Sequence, residues 1–312
     1  MTDLLKTAAE RASLYLEGLD ERRVAPSTEA IDRLEKLGGP LPDKPTDPEA
    51  VLSLLDDIGS PATVTTAGRR YFGFVIGGVL PAALAANWLA GAFDPAHEIC
   101  AMAHEAGAWV HVDGAFGLWI AAAPERSHLT HGVADAGSWA FDTHKWLNVP
   151  YDSGVVICRH AESLRAAMSF SAAYLMQGEQ REPHQYTPEM SRRARGIEMW
   201  AALRSLGRSG LADLIERTCR HASRFAEGLS AAGCRILNDV VTNQVLVSFG
   251  DEETTRRVIA GVQKDGTCWC GGTVWQGHVA MRISVSSWAT TEADVDRSLA
   301  AILRVAAEQS QR

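Results

Sequence analysis

Lys145, preceded by His144 in the run Thr143-His144-Lys145-Trp146, and Asp113, in His111-Val112-Asp113-Gly114-Ala115, are the residues of this chain best suited to act together. A lysine amine condenses with an aldehyde to form an imine, and a carboxylate beside a pyridine nitrogen keeps that nitrogen protonated, because the opposite charge favours the cationic form. Aldehyde and pyridine occur together in pyridoxal phosphate, which acts as an electron sink for a carbanion at an amino acid α-carbon. Each residue alone has a plainer reading: a strand-terminal Asp-Gly is commonly a turn, and a loop lysine is commonly solvated. Trp139, Phe141 and Trp146 give the lysine an apolar setting that suits a nucleophilic amine, and the two residues support each other.

The elements that must position this pair are legible. Residues 108–113 form a nearly continuous apolar strand, as expected inside a parallel sheet, and ligands of such sheets sit outside the carboxyl ends of the strands. Residues 139–141 and 154–158 read as further buried strands, with Lys145 in the turn between them. Asp94-Pro95 opens a helix to about Ala106 that Gly107 ends, and Asp47-Pro48 opens another to about Ile58. Residues 71–76 read as a short aromatic strand and 81–92 as an apolar helix. Beyond residue 190 the pattern changes to helices at 192–206 and 210–232, a strand at 245–249, a helix at 252–265, a strand at 279–285 and a final helix from Thr291. Alternating helix and strand predicts an α/β chain with three parts: an N-terminal helical arm at 1–50, a large domain at 51–190 and a small α+β lobe at 191–312.

Composition limits the alternatives. A chain of 312 residues that is 46% hydrophobic and 22% charged, with a net charge of -8, has the make-up of a globular protein and lacks the basic runs of a nucleic-acid surface. No apolar run reaches the ~20 residues that span a bilayer, and the first twenty residues lack the pattern of a signal peptide, so the expected location is cytoplasmic. The six cysteines are read as reduced thiols. Cys268-Trp269-Cys270 is one residue short of the usual zinc spacing, and His97, Cys100 and His104 fit a half-buried helix face better than a metal site, so no metal is expected.

The segments His111-Val112-Asp113-Gly114-Ala115-Phe116-Gly117 and Asp142-Thr143-His144-Lys145-Trp146 resemble the signature of the group II pyridoxal phosphate-dependent amino acid decarboxylases, the family of aromatic amino acid, glutamate and diaminobutyrate decarboxylases. Tyr71-Phe72-Gly73-Phe74, Ser191-Arg192-Arg193-Ala194-Arg195 and Met281-Arg282-Ile283-Ser284-Val285 with Thr290-Thr291 are similar to its flanking blocks. The resemblance implies an α/β PLP-dependent transferase-like large domain (aspartate aminotransferase type I fold), truncated here, with a small α+β C-terminal lobe. It implies pyridoxal 5'-phosphate as cofactor, Lys145 as the Schiff-base lysine, Asp113 as partner of the pyridine nitrogen, Ala115 as a contact on the ring face and His144 as a phosphate neighbour. Tyr186 matches the loop tyrosine that protonates the carbanion, and Phe72 and Phe74 fall where the family lines its substrate pocket. The implied reaction is decarboxylation of an L-amino acid, aromatic or related, by a homodimer.

One stretch departs from that pattern. Gly91-Ala92-Phe93-Asp94-Pro95 passes directly between two blocks that relatives separate with a Gly/Ser/Thr-rich phosphate loop and a ring-stacking histidine. At about 30 residues per βα unit and around four units, the deletion is on the order of 120 residues. Gly271-Gly272-Thr273, the nearest substitute by composition, is expected to form a turn. Two alternatives therefore stay open: another PLP enzyme of the same fold, such as an aminotransferase or desulfurase, and an inactive deleted variant that acts as a dimerising remnant.

Overall fold

The computed structural model describes residues 7, 10, 11, 13–15, 17–37, 47–65, 69–72, 93–169, 182–189 and 192–310. The expected helix at 81–92 and the junction at 91–92 lie outside the described residues, as does Phe74. Helix starts follow the local chemistry. In α1 (Thr28–Asp32) the Ser27 side chain accepts from the Ala30 N–H, and in α2 (Pro48–Gly59) Asp47 accepts from the Ala50 N–H while Pro48 fills a position that needs no donor. Next comes α3 (Ala96–Glu105), followed by Gly107 at φ +66, the left-handed conformation that ends helices.

The first sheet comprises β1 (His111–Asp113), β2 (Ser138–Asp142) and β3 (Gly154–Cys158), in that order. β1 runs parallel to β2 with Asp113 opposite Ala140, and β3 returns antiparallel with Gly154 opposite Asp142. Side chains alternate across a strand, so His111, Asp113, Ser138, Ala140 and Asp142 share one face while Val112, Trp139 and Phe141 share the other. The second face is covered: Trp119 meets Phe141 edge-on at 5.3 Å, and the Arg159 guanidinium lies over the Trp139 ring. The strand at 108–113, expected inside the sheet, is shorter and forms its edge among the described residues, leaving His111 and Asp113 exposed. After β3 comes α4 (Ala161–Met168).

The second sheet has the order β4-β5-β7-β6, with β4 (Arg235–Ile236), β5 (Gln244–Ser248), β6 (Gly271–Trp275) and β7 (His278–Ser284), all pairs antiparallel. Gly271-Gly272-Thr273 thus opens a strand instead of forming a turn, because cross-strand pairing with β7 claims its backbone. The flanking helices α6 (Glu252–Asp265) and α7 (Glu292–Ser310) are capped by Asp251 and by reciprocal Thr291–Asp294 hydrogen bonds. Their apolar faces bury Val258, Val262, Ile302 and Val305 against Val245, Val247, Met281 and Ile283.

Between the sheets runs α5 (Gly196–Ala231), where two helices were expected; Gly207 (φ 63, ψ −175) marks the break between the two predicted segments. α5 buries Ile215 and Cys219 with Phe116, Ile120 and Trp146 near the first sheet, and Ala222, Phe225 and Leu229 in the core of the second. Residues 69–72 join the second sheet: Tyr71 bridges and stacks on Trp269 at 5.0 Å, and Phe72 packs edge-on against Phe225. Phe72, expected in a substrate pocket, is 1% exposed and belongs to this core.

Candidate active site

The loop from Thr143 to Ser153 connects β2 to β3 and is closed by its own hydrogen bonds. The N–H groups of Thr143 and His144 both donate to the Ser153 carbonyl, and the Thr143 hydroxyl meets the Ser153 hydroxyl at 2.6 Å. Val149 N–H returns to the Thr143 carbonyl, and Asn148 takes a left-handed conformation (φ 58) that its short amide side chain tolerates. Asn148 also ties the loop to the C-terminal lobe: its amide donates to the Ser286 carbonyl at 3.0 Å and its Oδ1 accepts from the Trp288 N–H at 3.0 Å.

Lys145 is held inside this loop. Only 5% of it is exposed, and its Nζ lies 2.8 Å from Asp142 Oδ2. Asp142 has room because its strand partner is Gly154, where a Cβ would stand 3.1 Å from Asp142 Oδ1. Trp146, fully buried, donates its indole N–H to Thr218 on α5. Trp139 and Phe141, expected to surround the lysine, point to the opposite face of the sheet from Asp142, as strand alternation requires.

His144 is fixed in one tautomer. Its Nδ1 accepts the Ser153 N–H at 3.0 Å, which leaves the proton on Nε2, 3.7 Å from Asp142 Oδ2. The ring stacks on Tyr151 at 4.5 Å, and burial, aided by the Lys145 charge and opposed by Asp142, holds its pKa below the ordinary value. Tyr151 is itself anchored, since the next residue, Asp152, forms a two-pronged pair with Arg195 at 2.9 and 3.1 Å.

Asp113 ends β1 with Oδ1 accepting from the Ala115 N–H at 3.1 Å, the turn that a strand-terminal Asp-Gly favours. Asp113 and Ala115 line a cavity of ≈ 460 Å³, bordered by Phe93 and by Ala96 at the start of α3. Lys145 and His144 do not line it, and neither does Tyr186, which is half-buried in a separate 3-10 turn (Pro183–Tyr186). The structure therefore groups Asp113 with Ala115, and His144 with Lys145, on adjacent elements. Sequence reasoning gave no role to Asp142, Ser153 or Asn148; an acid three residues before a candidate lysine was the available signal for the first.

The pyridoxal-dependent decarboxylase conserved domain matches residues 73–250, more than half of the chain. The chain belongs to this family. Its cofactor is pyridoxal phosphate. The aromatic-L-amino-acid decarboxylase of Drosophila lebanonensis is 28% identical over 227 residues, 71% of this chain and 56% of the relative. The 4-hydroxyphenylacetaldehyde synthase of Rhodiola rosea is 29% identical over 217 residues, 66% of this chain and 44% of the relative. The chain thus spans about half the length of the curated relatives it matches. The fold is that of the crystal structure of mouse CSAD in apo form, with a TM-score of 0.87 at 13% identity over 97% of this chain and 98% of the other.

The described residues fit one end of the family's cofactor. An amine, a carboxylate and the small Gly114-Ala115 pair, the kinds of group such a cofactor requires, occur at the carboxyl ends of adjacent parallel strands.

Proposed function

We propose that this chain carries the amine-bearing part of an amino acid decarboxylase site and acts as a carboxy-lyase on an L-amino acid of the aromatic or a related class. The observation that carries the reading is the shared face of β1 and β2, where Asp113 and Asp142 point the same way and Asp142 holds the Lys145 ammonium. Pyridoxal phosphate, when bound, supplies the electron-withdrawing ring that accepts the electron pair left as the carboxyl group departs. Lys145 offers the amine for its attachment. Asp113 keeps a proton on the ring nitrogen, and Ala115 leaves space for the ring face. His144, its Nδ1 occupied, would present an Nε2–H donor, and Tyr186, which lies in the separate 183–186 turn, would supply the α-carbon proton in the role the resemblance gives it.

Two curated relatives named for aromatic compounds support the aromatic class. The homodimer and the cytoplasmic location belong to the same proposal; among the described residues no helix is long and apolar enough to cross a membrane. A second reading, an inactive variant that acts only as a dimerising remnant, draws on the exposed β1 edge and on the half-length match to relatives.

Incubation with pyridoxal phosphate, borohydride reduction and peptide mapping test the assignment. The expected result is one adduct on Lys145, absent in Lys145→Ala, with carbon dioxide and amine released in equal amounts from aromatic L-amino acids. Absence of the adduct overturns it. Keto acid in place of carbon dioxide assigns an aminotransferase, and an adduct without turnover in a dimeric chain assigns the remnant.

A further inference from the structure

A second cavity, of ≈ 670 Å³, lies along α5 and shares no lining residue with the one at Asp113. Arg217, Arg220, His221 and Arg224 follow the i, i+3, i+4, i+7 spacing that puts side chains on one helical stripe, while Ile215, Thr218 and Cys219 face the Lys145 loop. Arg69 and the 288–292 loop close the other side.

In a chain of net charge -8, this concavity is lined by four guanidinium groups against two carboxylates, Glu227 and Glu292. Arg217 is braced, its Nη1 donating to the carbonyls of Trp288 at 3.0 Å and Thr290 at 3.1 Å. His221 Nε2 donates to the same Thr290 carbonyl at 3.2 Å, which fixes the imidazole as part of the wall. The carboxylates that meet these arginines stand at the solvent rim: Asp213 is 60%, Asp20 52%, Glu292 74% and Asp296 53% exposed, the last in a two-pronged pair with Arg224 at 2.7 and 2.8 Å. Such pairs are weak in water and exchange readily. Arg220 is exposed and forms no ion pair among the described residues.

We propose that this cavity binds a small organic polyanion, a phosphate ester or a di- or tricarboxylate, held by Arg69, Arg217, Arg220 and Arg224 with Trp288 as a flat wall. Convergent positive charge in a concave site concentrates anions, and the guanidinium fork matches two oxygens of a phosphate or carboxylate at once. A ligand with two or more charges is required, because it must displace the rim carboxylates. The site stands independently of the decarboxylase assignment.

Titration calorimetry of the full chain with inorganic pyrophosphate and with citrate, at constant ionic strength, tests this. Saturable binding is expected, weakened about tenfold by Arg220→Gln and further by adding Arg224→Gln, and unchanged by Lys145→Ala. Tighter binding of pyrophosphate assigns a phosphate ester, and tighter binding of citrate a polycarboxylate. No saturable binding of either probe, equal affinity in a folded double variant, or loss in Lys145→Ala with retention in the arginine variants overturns the site.

Discussion

Thr218→Val isolates the bond that fastens the Lys145 loop to α5. Trp146 and Thr218 are both 0% exposed, and the indole N–H reaches the Thr218 hydroxyl at 2.9 Å. Valine keeps the shape of threonine and its helix propensity, so the main change is loss of the acceptor. A buried donor left without a partner costs about 1–3 kcal/mol. The threonine's own donation to the Leu214 and Ile215 carbonyls adds little, since helix carbonyls already accept within the helix. Trp146→Phe removes the donor instead, at a cost of roughly 1–3 kcal/mol for the space it leaves. In that background Thr218→Val orphans nothing and should cost about 1 kcal/mol less than in the wild type. Urea unfolding followed by circular dichroism reads both differences as shifts in midpoint at constant slope. A Thr218→Val penalty under about 0.5 kcal/mol, or one equal in both backgrounds, refutes the bond as an anchor.

Further outcomes follow from other buried groups. His144 and His221 have pKa values held below 6.5 by burial, so under that pH the unfolded chain binds more protons than the folded one. Stability should therefore fall as pH drops from about 6.5 towards the folded-state pKa values and level off beneath them; His221→Gln should flatten this loss in urea midpoints measured between about pH 7.5 and 5.5, and an unchanged slope would count against the assignment. Cys219 is pushed up to about 12 by burial, and Cys100, Cys268 and Cys270 are also enclosed, so an aromatic disulfide reagent should label only Cys158 and Cys234 of the six thiols in the native chain. Gly132 has φ +79, and a Cβ there would stand 2.3 Å from the His97 backbone; Gly132→Ala should cost at least about 2 kcal/mol in the same unfolding assay.

Much of the C-terminal lobe was legible because its signals are local. The helices expected at 252–265 and from Thr291 form as α6 and α7, and the apolar runs at 245–249 and 279–285 become β5 and β7 to within a residue or two. The Lys145 turn was also correctly placed between two strands. What escaped depends on contacts distant in sequence. Gly271-Gly272 reads as a turn until β7 pairs with it, and Phe72 reads as a pocket residue until Phe225, more than 150 positions away, receives it. The role of Asp142 was hidden for another reason: the acid lies in the quoted motif, but only the pleat reveals that it faces the lysine while Trp139 and Phe141 turn away.

Asn148 gives the Lys145 loop a timetable. Two of its side-chain hydrogen bonds reach residues 138 and 140 positions later, and the Arg69 carbonyl similarly waits for Thr290, 221 positions on. A chain that emerges from its N-terminus at about 5–20 residues per second must hold the loop without these partners until the last strand and the following turn have been made. Part of the anchoring of the amine-bearing loop is thus supplied only after the C-terminal lobe has been made, whereas the bonds that close the loop on itself lie within residues 143–153.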